Sequence, residues 1–182
     1  MRKVFRLSGL AAIGATVFLL LPVSAFADNT TVKMRDDCDP VTFNLAIPAD
    51  PPTCVGNGGT TFSDFIAQLV DHKFAGAWRF SPGKIEVDSG SSLRIVNRGG
   101  ETHSLTQVTQ FGGGGIVPPL NQILFGTPFP PTFFFGPKNF VPAGGTASIG
   151  PSILTPGKHL FICVIHPWMH ETVVVENDDD DD

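Results

Sequence analysis

Three side chains able to bind a soft metal ion lie within seven residues near the C-terminal end: Cys163, His166 and Met169 in Cys163-Val-Ile-His166-Pro-Trp-Met169. The run before them, Lys158 to Cys163, reads as a strand, where residues three apart point to opposite faces. Cys163 and His166 therefore share one centre only if the chain leaves the strand at Cys163 and curls. Pro167 favours that loop and argues against a helix, because it fixes one backbone angle and removes a donor. One thiolate, two imidazoles and a weak axial thioether make the ligand set of an electron-transfer copper site. Zinc is the rival, but Met is a poor zinc ligand and structural zinc takes four strong nitrogen and sulfur donors. The second imidazole has to come from elsewhere. His103, in Glu101-Thr-His103-Ser104, is the best candidate, because it closes the strand-like run Ser92 to Asn97 upstream of the loop.

Cys163-x-x-His166-Pro-aromatic-Met169 resembles the C-terminal ligand loop of amicyanin, a small blue copper protein of the cupredoxin (plastocyanin/azurin) family. The stretch Val96-Asn97-Arg-Gly-Gly-Glu-Thr-His103 is similar to the Asn-containing strand that precedes the family's first ligand histidine. The resemblance is specific over the last twenty residues, fair over 76–108 and weak elsewhere. It implies His103, Cys163 and His166 as equatorial ligands of one type 1 copper and Met169 as the axial ligand. Ser104, next to the first ligand, is then placed to tie the two ligand loops together by a hydroxyl hydrogen bond. Family members often carry Gly two residues after the Met, and this chain has Glu171 there.

Cysteine usage supports a special role for Cys163 without the motif. Residues 1–27 read as a signal peptide: a basic start with Arg2, Lys3 and Arg6, an apolar stretch from Leu7 to Leu21, and Ala25-Phe-Ala27 as a small-x-small cleavage site. Export to an oxidising compartment, periplasmic or secreted, then requires a reason for any unpaired thiol. Cys38 and Cys54 are close in sequence and pair as a disulfide, which leaves Cys163 for the metal. Without the signal, nine basic residues face 17 acidic ones, a net charge of about −8. That charge argues against nucleic acid as a partner. No membrane span remains after cleavage, and the expected state is a monomer.

The elements that must position these groups read as follows. Residues 28–60 form a Pro- and Gly-rich N-terminal extension stapled by the disulfide, with a short strand near Val41 to Leu45. Thr61 to Phe74 is the one convincing helix, with Phe62, Phe65, Ile66, Leu69 and Val70 at helical spacing. His72 at its end reads as structural, favoured by the helix dipole. From Gly76 short alternating runs separated by turns give about seven strands: Trp78–Phe80, Lys84–Val87, Leu93–Val96, Thr102–Val108, Thr146–Ile153, Lys158–Cys163 and Thr172–Glu176. The expected fold is all-β, an antiparallel Greek-key cupredoxin-like sandwich over residues 61–176 with one N-terminal helix and a long Phe/Gly/Pro-rich insertion at 109–145. That insertion either packs its own phenylalanines over the sandwich or forms a lid or docking surface beside the copper. The acidic tail, 177–182, reads as disordered. His159 and His170 read as packed or exposed rather than ligating.

Enzymatic signatures are lacking. The neighbours of Cys163 are Ile162 and Val164 rather than histidines, there is no His-x-His pair, and five histidines do not furnish a further copper cluster. The sequence therefore points to a soluble exported electron carrier cycling Cu(II)/Cu(I), not an enzyme. A transient redox protein partner would exchange electrons through an exposed edge of His166. The alternative is a copper-binding module for buffering, delivery or partner recognition without redox turnover.

Overall fold

A computed structural model describes residues 29–177, so the signal peptide expected at 1–27 and the acidic run 178–182 of the expected tail lie outside the described residues. Among the described residues no helix is long and apolar enough to cross a membrane. Among the described residues ten strands and three helices follow one another: β1 (Asn29–Arg35), α1 (Pro40–Ala46), α2 (Phe62–His72), β2 (Arg79–Ser81), β3 (Lys84–Asp88), β4 (Ser92–Asn97), β5 (His103–Ser104), β6 (Thr106–Val108), α3 (Pro118–Phe125), β7 (Phe140–Val141), β8 (Thr146–Ile149), β9 (Gly157–Ile162) and β10 (His170–Glu176).

Two four-stranded sheets, ordered β2-β1-β4-β8 and β3-β10-β9-β6, make the sandwich, and β5-β7 forms a separate pair. The expected β-sandwich is present, and its sheets are mixed rather than wholly antiparallel. β1 runs parallel to β4 and β10 parallel to β3, while the remaining pairs are antiparallel. Alternation supplies the core: Ile85 and Val87 from β3, Leu93 and Ile95 from β4, and Val173 and Val175 from β10 all turn inward. They meet Trp78 and Phe161, and Cys163 and Met169 belong to the same apolar cluster.

Three local readings are corrected. Val41 to Leu45 is helical, not extended. Asp39 caps α1 by accepting a hydrogen bond from Thr42 N at 2.8 Å, and Pro40 occupies the first turn, where its missing N–H costs nothing. Only Phe43 of α1 is buried. The insertion contains α3, with Pro118 and Pro119 in its first turn and Gly126 at φ 74° ending it. Finally, residues 29–35 form a strand between β2 and β4, inside the sandwich.

α2 lies where the sequence places a helix. Thr61 Oγ1 accepts from Asp64 N at 3.2 Å, and Lys73 closes the helix in the left-handed region. The insertion is anchored rather than loose. Phe111, Phe133 and Phe134 pack over Val108, Ile162 and Val164. Its backbone also docks on the stretch after β9, Ile116 N donating to Val164 O at 2.7 Å. Buried Asn121 holds the turn together through Gly115 N, Gly115 O and Pro128 O.

Candidate metal centre

β9 ends at Ile162, and Cys163 begins the loop that returns to β10. The loop is closed by its own backbone: Met169 N donates to His166 O at 2.9 Å, and Cys163 N donates to Met169 O at 3.2 Å. This curl brings Cys163 and His166 to the same side, although three-residue spacing on a strand would separate them. His103 arrives on β5, which pairs with β7 outside the two four-stranded sheets. Asn97 at the end of β4 organises the turn that delivers it: its side-chain amide donates to Glu101 O and Val141 O, and its Oδ1 accepts from Gly99 N.

The three groups converge. Cys163 Sγ lies 3.6 Å from His166 Nδ1 and 3.9 Å from His103 Nδ1, and the two Nδ1 atoms are 3.2 Å apart. Among the described residues His103, Cys163 and His166 form a group able to hold a metal ion. All three are buried, at 0, 0 and 2 % exposure. Cys163 is free, and Cys38 is bonded to Cys54. Met169 is buried in the same loop. The donor set, one soft thiolate and two imidazoles beside a thioether-bearing loop, fits copper better than a hard cation.

The loops are tied across the site at Ser104. Its backbone N–H points at Cys163 Sγ at 3.3 Å, and its Oγ accepts from Val164 N at 2.9 Å. Burial works against a Cys163 thiolate, but hydrogen bonds from His103 and His166 outweigh it and hold the thiol well below its ordinary range. Burial likewise opposes charge on His103. The hydrogen bonds to Asp36 and Cys163 prevail and push its pKa upward.

Two acids at the site carried no sequence signal. Asp36 Oδ2 lies 2.7 Å from His103 Nε2, with both side chains buried. Glu101 Oε2 accepts from the Trp78 indole N–H and lies 3.6 Å from His166 Nε2. Burial raises the Glu101 carboxyl. Asp36 is 67 residues from His103 and belongs to the segment following β1, so no spacing could connect them. Glu101 is two residues before His103, a position that by itself reads as an ordinary turn acid.

The surroundings of His166 also differ from expectation. The sequence gives this histidine an exposed edge, but Phe65 of α2 stands edge-on to it at 6.4 Å and Trp168 at 5.3 Å. The ring faces a cavity of about 440 Å³ between the helices, lined by Phe43, Phe62, Phe65, Leu120 and Ile123. The other histidines stay outside. His159 bonds Gln107 and Thr155 O, His170 stacks on Phe111, and His72 is exposed at the end of α2. Glu171 is fully buried with neither carboxylate oxygen hydrogen-bonded, and burial raises it to about 8.

The fold is a β-sandwich of two four-stranded mixed sheets. Similar solved structures include a purple cupredoxin from Nitrosopumilus maritimus, at 13 % identity and TM-score 0.39 over 81 % of this chain and 100 % of that one. A mutant fern plastocyanin is 17 % identical, with TM-score 0.40 and the same coverage of both chains. A Cu(I) form of an amicyanin mutant is 16 % identical, with TM-score 0.36 over 56 % of this chain and 76 % of that one. No family model and no curated protein matches the sequence.

Proposed function

We propose that this protein is an exported type 1 copper protein that carries electrons and is not an enzyme. The observation that supports this most directly is the meeting of a free buried thiol with two imidazole Nδ1 atoms, in a chain whose other cysteines are paired. Cys163 would hold the copper through its thiolate, His103 and His166 through Nδ1, and Met169 through its thioether sulfur. Bound copper would supply a one-electron Cu(II)/Cu(I) couple. The chain's own part is to keep the donors fixed and dry. Ser104 pins Cys163 to the opposite loop, and burial excludes the water that would otherwise reorganise with each change of charge. The remaining side of His166, facing the apolar cavity beneath α2 and α3, is the proposed route for electrons to and from a transient redox protein partner, with the carrier working as a monomer.

The test is the visible and electron paramagnetic resonance spectrum of the chain from Asp28 onward with one equivalent of Cu(II), beside Cys163→Ser. An intense thiolate-to-copper band, lost in the variant and bleached reversibly by ascorbate, is the expected result. A pale spectrum that the substitution leaves unchanged removes the ligand assignment. Reversible loading with ready release of Cu(I) to an acceptor would favour copper delivery over electron transfer.

A further inference from the structure

Asp36 lies outside the ligand motif, yet it is built into the site. Its Oδ1 accepts from Gly100 N at 2.8 Å and from Cys38 N at 3.3 Å. Its Oδ2 accepts from Glu101 N at 3.1 Å and meets His103 Nε2 at 2.7 Å. Three of these four partners are obligate backbone donors, which favour the charged carboxylate; the fourth, His103 Nε2, is the one atom that could take a proton from it, and the three donated bonds leave that proton on the ring. The geometry therefore holds an ionised carboxylate, with His103 Nε2–H as its fourth donor. The surrounding chain has no slack: a side chain at Gly99 would run into the Asp36 carboxylate, and one at Gly100 into Cys38 Sγ and Gly56. The Cys38–Cys54 bond fixes the segment from its other end.

We propose that Asp36 is a positioning residue that commits His103 to ligation through Nδ1 and, by its negative charge behind the ring, biases the site toward Cu(II). The inference rests on the copper reading above. An imidazole that donates Nε2–H to a carboxylate presents a lone pair on Nδ1, the atom facing Cys163 and His166. A carboxylate behind a ligating histidine raises its basicity and fixes its orientation. An anion held in a poorly screened interior favours the more positive of two metal charge states. The disulfide-stapled segment thus contributes the charge that tunes the centre, in addition to closing the sandwich.

Asp36→Asn keeps the shape and one acceptor oxygen but removes the charge, so a role in packing alone predicts an unchanged potential. We expect the Cu(I):Cu(II) equilibrium to move about tenfold toward Cu(I), an upward shift of about 59 mV for a one-electron couple. A copper-loaded Asp36→Asn protein within twofold of the wild-type equilibrium overturns the proposal. The wild type provides a second measurement should the variant not fold. In the diamagnetic Cu(I) or Cd(II) form, proton–nitrogen spectra should show a slowly exchanging proton on His103 Nε2 and the metal on Nδ1. Metal on Nε2, or no Nε2 proton, overturns it equally. Wild type that binds no copper at all defeats the copper reading and this inference together, an outcome distinct from copper bound at an unmoved potential.

Discussion

The two imidazoles at this site sit in opposite surroundings. His103 is held in a polar web: a carboxylate at 2.7 Å, itself bonded by three backbone N–H groups and braced by a disulfide. His166 is held by aromatic rings, with Phe65 and Trp168 edge-on, an acid at 3.6 Å and an apolar cavity beyond. One side fixes charge and geometry, and the other excludes water while keeping one ring edge near an apolar cavity. The same residue type therefore serves two purposes, set by what each copy touches.

The largest way to break the contrast is at Phe65, which is 3 % exposed and touches Phe43, Trp78, Trp168 and His166. Phe65→Ala should cost about 3–5 kcal/mol in urea unfolding, from lost burial and the cavity left behind. It should change the nuclear resonance environment of His166 while leaving that of His103 nearly untouched. Equal perturbation of both rings would show that the two flanks are not separable.

On the opposite flank, replacing both Cys38 and Cys54 by Ser should lower stability by about 3 kcal/mol, as removal of a bridge closing a loop of this length does. Here His103 should respond and His166 should not, because Asp36 and Cys38 share the same short stretch of backbone. A loss of stability with His103 unchanged would mean that Asp36 holds its place without the staple.

Acids sharpen the comparison further. Asp36 has donors on both oxygens, whereas Glu171 has none and burial raises it to about 8. With the folded pKa above the ordinary value, the native state binds more protons between about pH 4.5 and about pH 8. Stability contributed by the neutral acid is complete below that window and lost as pH rises through it. The loss amounts to a few kcal/mol, since each tenfold difference in proton affinity between folded and unfolded chain is worth about 1.4 kcal/mol. Glu171→Gln should flatten this part of the stability–pH curve of the metal-free protein, and an unchanged slope would place the proton elsewhere.

The smallest effect is expected at Glu101. Its oxygen lies 3.6 Å from His166 Nε2 and is already engaged by Trp78, so Glu101→Gln should move the reduction potential less than Asp36→Asn does. Voltammetry on the two copper-loaded variants checks the order, and a larger shift at Glu101 would reverse the assignment of the charged flank.

Much of this molecule is local enough to be read in sequence. Thr61 with Asp64 announces α2, and the alternation in Lys84–Val87 and Leu93–Val96 announces strands that the structure contains. Val41 to Leu45, read as a short strand, is helical because Asp39-Pro40 supplies a cap and a first-turn proline that start a helix there. α3 could have been found the same way, from Pro118-Pro119 and Gly126. The mixed sheets were not legible: parallel pairing of β1 with β4 depends on which edge a distant strand reaches, and no periodicity records that.

The sequence alone determined the chemistry available: a thiol left over once two cysteines pair, an imidazole and a thioether at loop spacing, and a histidine after an Asn-bearing strand. These are properties of residue type and short separation, which covalent geometry carries directly. Only the tertiary structure decided the environment. Asp36 reaches His103 across 67 residues, and helices from two different segments cover the ring that a loop alone would leave open. Burial, charge and hydrogen-bond partners belong to contacts between distant parts of the chain, and those contacts exist only once the sheets have packed.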